Sequence, residues 1–188
     1  EVNQRTGNPA WDDPLWQQWR RDAVTALVRK VYVFTKALKP DVAVSAATIC
    51  WGSGPEADGF TSSTPYTRVY QDWRSWLEEG ILDINCPMMY YQNSKHRDWW
   101  LKWVEFGKDH TYGKRLVVGL GNWFNPIPDT FQQIADVRQP SPTGKKADGM
   151  LLFSYGGTNG DASGKEISYN EDFYKALAQP SQDDPKGP

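Results

Sequence analysis

The chain has 188 residues and a formal net charge of −2, from 21 basic and 23 acidic side chains. That near-balance excludes a nucleic-acid binder driven by phosphate neutralisation and a polybasic membrane anchor. No run of about 18 apolar residues occurs, so no membrane span is expected. The length suits one domain or part of a larger one. The chain opens on neither an initiator Met nor a charged–apolar–small signal, which reads as a processed or trimmed polypeptide. Ten Trp, nine Tyr and seven Phe make 14% of the residues. A core absorbs some of these rings, and the rest suggest flat platforms for a ligand. With the charge balanced, sugars fit such platforms better than bases do.

Glu1 to Asp13 is polar and turn-rich. Asp13-Pro14 then reads as an N-cap followed by Pro at the first helical position. Trp16, Trp19, Ala23, Leu27, Val31, Phe34 and Leu38 recur at helical spacing, and Lys39-Pro40 ends the helix. Asp41 to Cys50 is β-branched and reads as a strand. A Gly/Ser/Thr/Pro loop follows from Trp51 to Pro65. The pattern repeats with a helix from about Pro65 to Glu79, a strand over Ile81–Tyr90 and a helix over about Asp98–Asp109. A strand over Arg115–Gly121, a helix from Asp129 to about Arg138, a strand over Met150–Tyr155 and a helix over Glu171–Ala178 complete it.

Strand starts near 41, 81, 115 and 150 lie 40, 34 and 35 residues apart. That rhythm belongs to parallel βα units. Four units make half of an eight-stranded barrel, and four strands alone would leave two unpaired edges. The expected fold is therefore α/β, the C-terminal half of a (β/α)8 barrel. Residues 1–178 would supply units five to eight with the preceding helix, and 179–188 a polar tail. The other half would lie upstream or beside it as a separate chain. The plainer alternative is an open four-stranded α/β sheet complete in itself.

In parallel βα folds, ligands meet the loops at the C-terminal ends of the strands. Trp51, Tyr90 with Tyr91, Trp123 and Tyr155 stand there and are the candidate sugar-binding rings. Asn85 would add hydrogen bonds inside the barrel. Glycosidic hydrolysis normally needs two flanking carboxyl groups, yet strand-end carboxylates are scarce. Asp83 lies early in its strand, where it would cap or pair at the bottom. Glu56 and Asp58 fall in the first long loop, Asp129 looks like an N-cap, and Asp161 and Glu166 fall in a Gly-rich last loop. Asp72, read inside a helix with Arg68 at i−4 for an ion pair, suits a structural role better. It is nonetheless the leading candidate for a catalytic carboxylate in this chain.

Other chemistries find no support. Gly119-Leu-Gly121 is followed three places on by Phe124, so the dinucleotide fingerprint fails, and no Gly-x-Ser-x-Gly elbow occurs. His96 and His110 are the only histidines and are expected at the surface, so neither a metal site nor a His-based triad is expected. No cofactor is expected. Cys50 and Cys86, 36 positions apart, match no zinc or redox spacing. They fall on adjacent strands and read best as buried free thiols.

Four stretches carry a resemblance. They are Trp16-x-x-Trp19-Arg20-Arg21-Asp22 leading into Lys39-Pro40-Asp41-x-x-Val44-Ser45-Ala46-Ala47; Val69-Tyr70-Gln71-Asp72-Trp73-x-x-Trp76-Leu77; Asp83-x-x-x-Pro87-Met88-x-Tyr90; and Asp148-Gly149-x-x-x-Phe153-Ser154-Tyr155. In order and spacing they resemble the C-terminal part of the glycosyl-hydrolase-like family 10 proteins, over about Trp11 to Leu177. The resemblance implies a (β/α)8 barrel in a bacterial envelope or secreted protein, hydrolysing a cell-wall or other envelope polysaccharide. The family's His-x-Asp-x-x-Arg-Tyr-Pro-like motif, the natural home of a catalytic acid, has no match here. The principal acid is therefore expected outside this chain. The Gln71-Asp72-Trp73, Pro87-Met88-x-Tyr90 and Phe153-Ser154-Tyr155 positions carry over as site-forming or site-supporting. A non-catalytic carbohydrate-binding or structural module of a cell-surface assembly is the second reading. A self-contained domain with a protein partner is the third.

Overall fold

Asp13 and Pro14 start the first helix as the sequence predicts. The Asp13 carboxylate accepts the Trp16 amide at 3.0 Å, and α1 runs over Pro14–Leu38. The computed structural model describes residues 7–56 and 59–179. The head of the first polar segment, Asp58 and the polar tail after Gln179 lie outside the described residues. After α1 come β1 (Ser45–Ile49), α2 (Thr64–Thr67), α3 (Trp73–Glu79), β2 (Ile84–Met89) and α4 (Asn93–Asp109). Then follow β3 (Arg115–Gly121), α5 (Ile127–Arg138), β4 (Gly149–Phe153), a hairpin of β5 (Gly157–Gly160) and β6 (Glu166–Ser168), and α6 (Glu171–Leu177). Strands β1 to β4 pair in chain order and all in parallel. Parallel neighbours joined through helices make half an α/β barrel.

Side chains alternate across this sheet. Met89, Leu116, Val118 and Leu120 face the helices and pack with Trp73, Trp76, Trp100 and Trp103, all buried. Four of the ten tryptophans are thus core. Much of the opposite face is left exposed by the described residues. There Ala47 lies beside Cys86, Met88 beside Gly119 and Gly119 beside Leu151. Leu151 and Phe153 on it are 43% and 51% exposed. Cys86 belongs to this open face and Cys50 to the helix-side core, so the two thiols point to opposite sides of the sheet and both are free.

Several local expectations change. The helix read from Pro65 to Glu79 is two helices, because Tyr70 turns the chain at φ +60°. The turn sends Gln71 to the Ile49 amide at 2.8 Å and Trp73 Nε1 to the Ile49 carbonyl at 3.1 Å. The polar groups at the end of edge strand β1 are thereby met. The α1 stripe also differs. Val24, Val28 and Tyr32 pack inward, whereas Leu27, Val31, Phe34 and Leu38 are exposed. Helix α4 starts at Asn93, five residues before the expected Asp98, and bends at His96. Asp129 lies in the first turn of α5, whose cap is Pro126. Neither histidine is free of neighbours: His96 stacks on Trp99 at 4.4 Å and His110 on Phe106 at 3.9 Å.

Asp83 ties the bottom of the sheet to α1, as its early position in the strand predicts. It accepts the Val44 amide at 2.9 Å and the Tyr32 hydroxyl at 3.2 Å, and pairs with Lys36 at 2.9 Å. Burial raises its affinity for a proton, but those three partners outweigh it and hold the carboxyl below the ordinary aspartate range. A depressed folded pKa stabilises the fold above the unfolded value and is lost as pH falls through the folded one. Unfolding free energy should therefore drop below about pH 4, and Asp83→Asn should flatten that acid limb. Urea titrations of both proteins between neutral pH and pH 2.5 check this; an unchanged slope in Asp83→Asn would overturn it.

Candidate functional site

Three successive strand ends bring three rings together. Tyr90 follows β2, Trp123 sits in a 3-10 turn (Asn122–Phe124) after β3, and Phe153 ends β4. Tyr90 meets Trp123 edge-on at 5.0 Å and Phe153 in a stack at 5.6 Å. Trp123 meets Phe153 edge-on at 5.4 Å. Tyr90 and Trp123 are half-buried and Phe153 half-exposed, so the cluster is a wall with an accessible surface. Burial pushes the Tyr90 hydroxyl up.

The register explains the grouping. Gly119 stands between Met88 and Leu151, and a Cβ there would strike the Pro87 carbonyl at 2.8 Å. A Cβ on Gly121 would lie 2.7 Å from the Phe124 ring and 2.8 Å from the Trp123 ring. Both glycines leave room for the rings beside them.

Buried amides fasten the loops behind the wall. Asn122 Nδ2 donates to the Gly157 and Thr158 carbonyls, each at 2.9 Å. Asn125 Nδ2 donates to the Tyr91 carbonyl at 2.9 Å, while Asn125 Oδ1 accepts the Asn93 amide at 2.8 Å. Gln133 Nε2 donates to the Tyr91 carbonyl at 3.0 Å. Sequence reasoning missed these three residues. The signal was available in Asn122-Trp-Phe-Asn125, where amides bracket aromatics directly after a strand.

The other sequence candidates fall elsewhere. Tyr91 is buried on the helix side, its hydroxyl donating to the Cys50 carbonyl and, at 2.8 Å, to the Gly52 carbonyl. It is not a platform but holds both flanks of Trp51. Burial, with Cys50 adding to it, raises the Tyr91 hydroxyl pKa. Trp51 is 55% exposed at the end of β1 and in ring contact with no described residue. Tyr155 joins Tyr169 and Tyr174 in a second exposed cluster, with centroids 5.4–6.5 Å apart. Asn85 does not face the barrel interior. It lies on the helix side, where Thr48 Oγ1 donates to its Oδ1 at 2.7 Å.

Asp72 is the N-cap of α3, not an interior residue. Its carboxylate accepts the Ser75 amide at 3.3 Å and the Ser75 hydroxyl at 2.6 Å. Among the described residues it makes no ion pair with Arg68. Asp161 is consumed by its turn, accepting the Ser163 amide at 2.8 Å and the Lys165 amide at 3.0 Å. The Ser163 hydroxyl and these amides hold it below the ordinary aspartate range.

Residues 2–111 match the family model described as Glycosyl hydrolase-like 10. The chain is 27% identical over 176 residues to glycosyl hydrolase YngK of Bacillus subtilis strain 168, an alignment covering 85% of this chain and 34% of the relative. It is 33% identical over 82 residues to glycosyl hydrolase DigH of Escherichia coli K12, covering 41% of this chain and 18% of the relative. The same figures hold for DigH of Shigella flexneri. The chain thus spans about a third of YngK. With four parallel βα units, rings gathered at the strand ends and a family model matched over more than half its length, this chain belongs to the glycosyl hydrolase-like 10 family.

Proposed function

We propose that this chain is the C-terminal half of a glycoside hydrolase barrel acting on a bacterial envelope or extracellular polysaccharide. The three-ring wall of Tyr90, Trp123 and Phe153 carries the reading. Sugar rings present C–H faces that lie flat on aromatic side chains, and the wall stands where barrel ligands bind. Trp51 and Tyr155 extend it along neighbouring loops. Tyr91 and the amides of Asn122, Asn125 and Gln133 position it.

The open sheet face, both sheet edges and the outer stripe of α1 are surfaces for the other half of the barrel. The principal acid comes from there. None of β1 to β4 ends on a carboxylate, and Asp72 is occupied as a cap. That shortage also supports the second reading, a carbohydrate-binding module without catalysis.

Incubating the intact protein with purified cell-wall glycan and following new reducing ends by mass spectrometry separates the two. Release of defined oligosaccharides is expected. Retention on the glycan with no release would establish the module instead, and neither retention nor release would overturn both.

A further inference from the structure

We propose that Glu166 is the polar sugar contact of the aromatic wall and biases it towards neutral and cationic sugars over acidic ones, an inference that rests on the glycan-binding reading above. Gly157 brings the carboxylate there. A Cβ on Gly157 would lie 2.6 Å from Glu166 Oε1 and 3.1 Å from Trp123 Cβ. The carboxylate and the root of the Trp123 side chain therefore flank the same backbone position.

The hairpin that presents Glu166 is fastened to the Trp123 turn. Gly160 pairs with Glu166 across the hairpin, and its amide donates to the Asn125 carbonyl at 2.8 Å. A Cβ on Gly160 would strike the Phe124 backbone at 2.6 Å, so only glycine permits this approach. The Asn122 bonds to Gly157 and Thr158 hold the other end of β5. Glu166 is exposed, and its carboxylate makes no hydrogen bond or ion pair with a described residue. No described residue takes up its acceptor sites, so the carboxylate can meet a ligand.

An ionised carboxylate is an acceptor only, matched to the hydroxyls of a ring lying on Trp123. Hydrogen bonds to a charged acceptor are stronger than neutral ones. A sugar bearing its own carboxylate meets like charge there, while an amino sugar meets opposite charge.

Calorimetric titration of the intact protein at low salt, with oligomers of glucosamine, N-acetylglucosamine and galacturonic acid, tests the assignment. Affinity should fall in that order. Glu166→Gln should compress the range by about three- to fivefold at each end, the scale of an exposed charge pair. An unchanged ranking in Glu166→Gln, with Trp123→Ala weakening all three oligomers, overturns the role of Glu166 and leaves the wall standing. No binding by the native protein, or no loss in Trp123→Ala, overturns the wall and this inference together.

Discussion

Under the proposed function, Trp123→Ala should weaken glycan binding about thirtyfold, the scale of removing one aromatic anchor worth ~2 kcal/mol. Trp123 touches both other rings of the wall, at 5.0 Å and 5.4 Å, and Phe124 at 4.4 Å. Deleting it removes its own face and also releases Tyr90 and Phe153 from their packing. The fold should persist, because the turn is held by Asn122 and Asn125 through amide bonds that do not use the indole. Trp123→Phe keeps an aromatic face and should lose much less. Calorimetry with a neutral oligosaccharide, together with the thermal midpoint, separates binding from folding. Native affinity in a folded Trp123→Ala protein would remove the wall from the site.

Trp73→Ala should cost about 3–5 kcal/mol of stability. The ring is fully buried and packs against Phe60 at 4.6 Å, Phe106 at 5.9 Å and Trp103 at 6.3 Å. Its Nε1 also serves the Ile49 carbonyl at the end of edge strand β1. The substitution therefore opens a cavity and orphans a buried acceptor together. A loss of that size is a large share of the 5–15 kcal/mol typical of a domain. Trp73→Phe should recover most of the packing and leave only the cost of the missing hydrogen bond. Urea unfolding of the three proteins measures both parts. A Trp73→Ala midpoint equal to the native one would mean that this cluster does not hold β1 to the helices.

The alternation of helices and strands was legible because period is local. A β-branched run, a Pro at N1 or an Asp before it acts within a few residues. Strand β3 and helix α1 accordingly lie where the sequence puts them, over Arg115–Gly121 and Pro14–Leu38. The hairpin of β5 and β6 was not legible. Gly157-Thr-Asn-Gly160 has almost no strand propensity, and its conformation is set by contact with the Asn122–Phe124 turn. Which face of α1 packs was ambiguous for a related reason: the helix has two apolar stripes, and only the position of α3 and the sheet selects Val24, Val28 and Tyr32.

The same division runs through the site. Tyr90 and Trp123 were visible as aromatics just past strands, a one-dimensional property. Strand direction makes Asn85 and Tyr91 different cases. Parity along β2 puts Asn85 with Met89 on the helix side, and a one-residue step sends Tyr91 away from the face that Tyr90 occupies. Asp72 changed role because a positive φ at Tyr70 broke the expected helix and left it at a new N-terminus.

By itself, the sequence pointed to the family through the resemblance of its motifs, and determined the parallel βα order and the stock of aromatic residues through spacing and composition. Only the tertiary structure decided which rings meet, which carboxylates are spent on caps and turns, and that Glu166 stands beside Trp123. Which rings meet depends on register between strands 30 or more residues apart, which no local pattern encodes, whereas the carboxylates take their places from a backbone turn at Tyr70 and from the β5–β6 hairpin, both set by the packing around them.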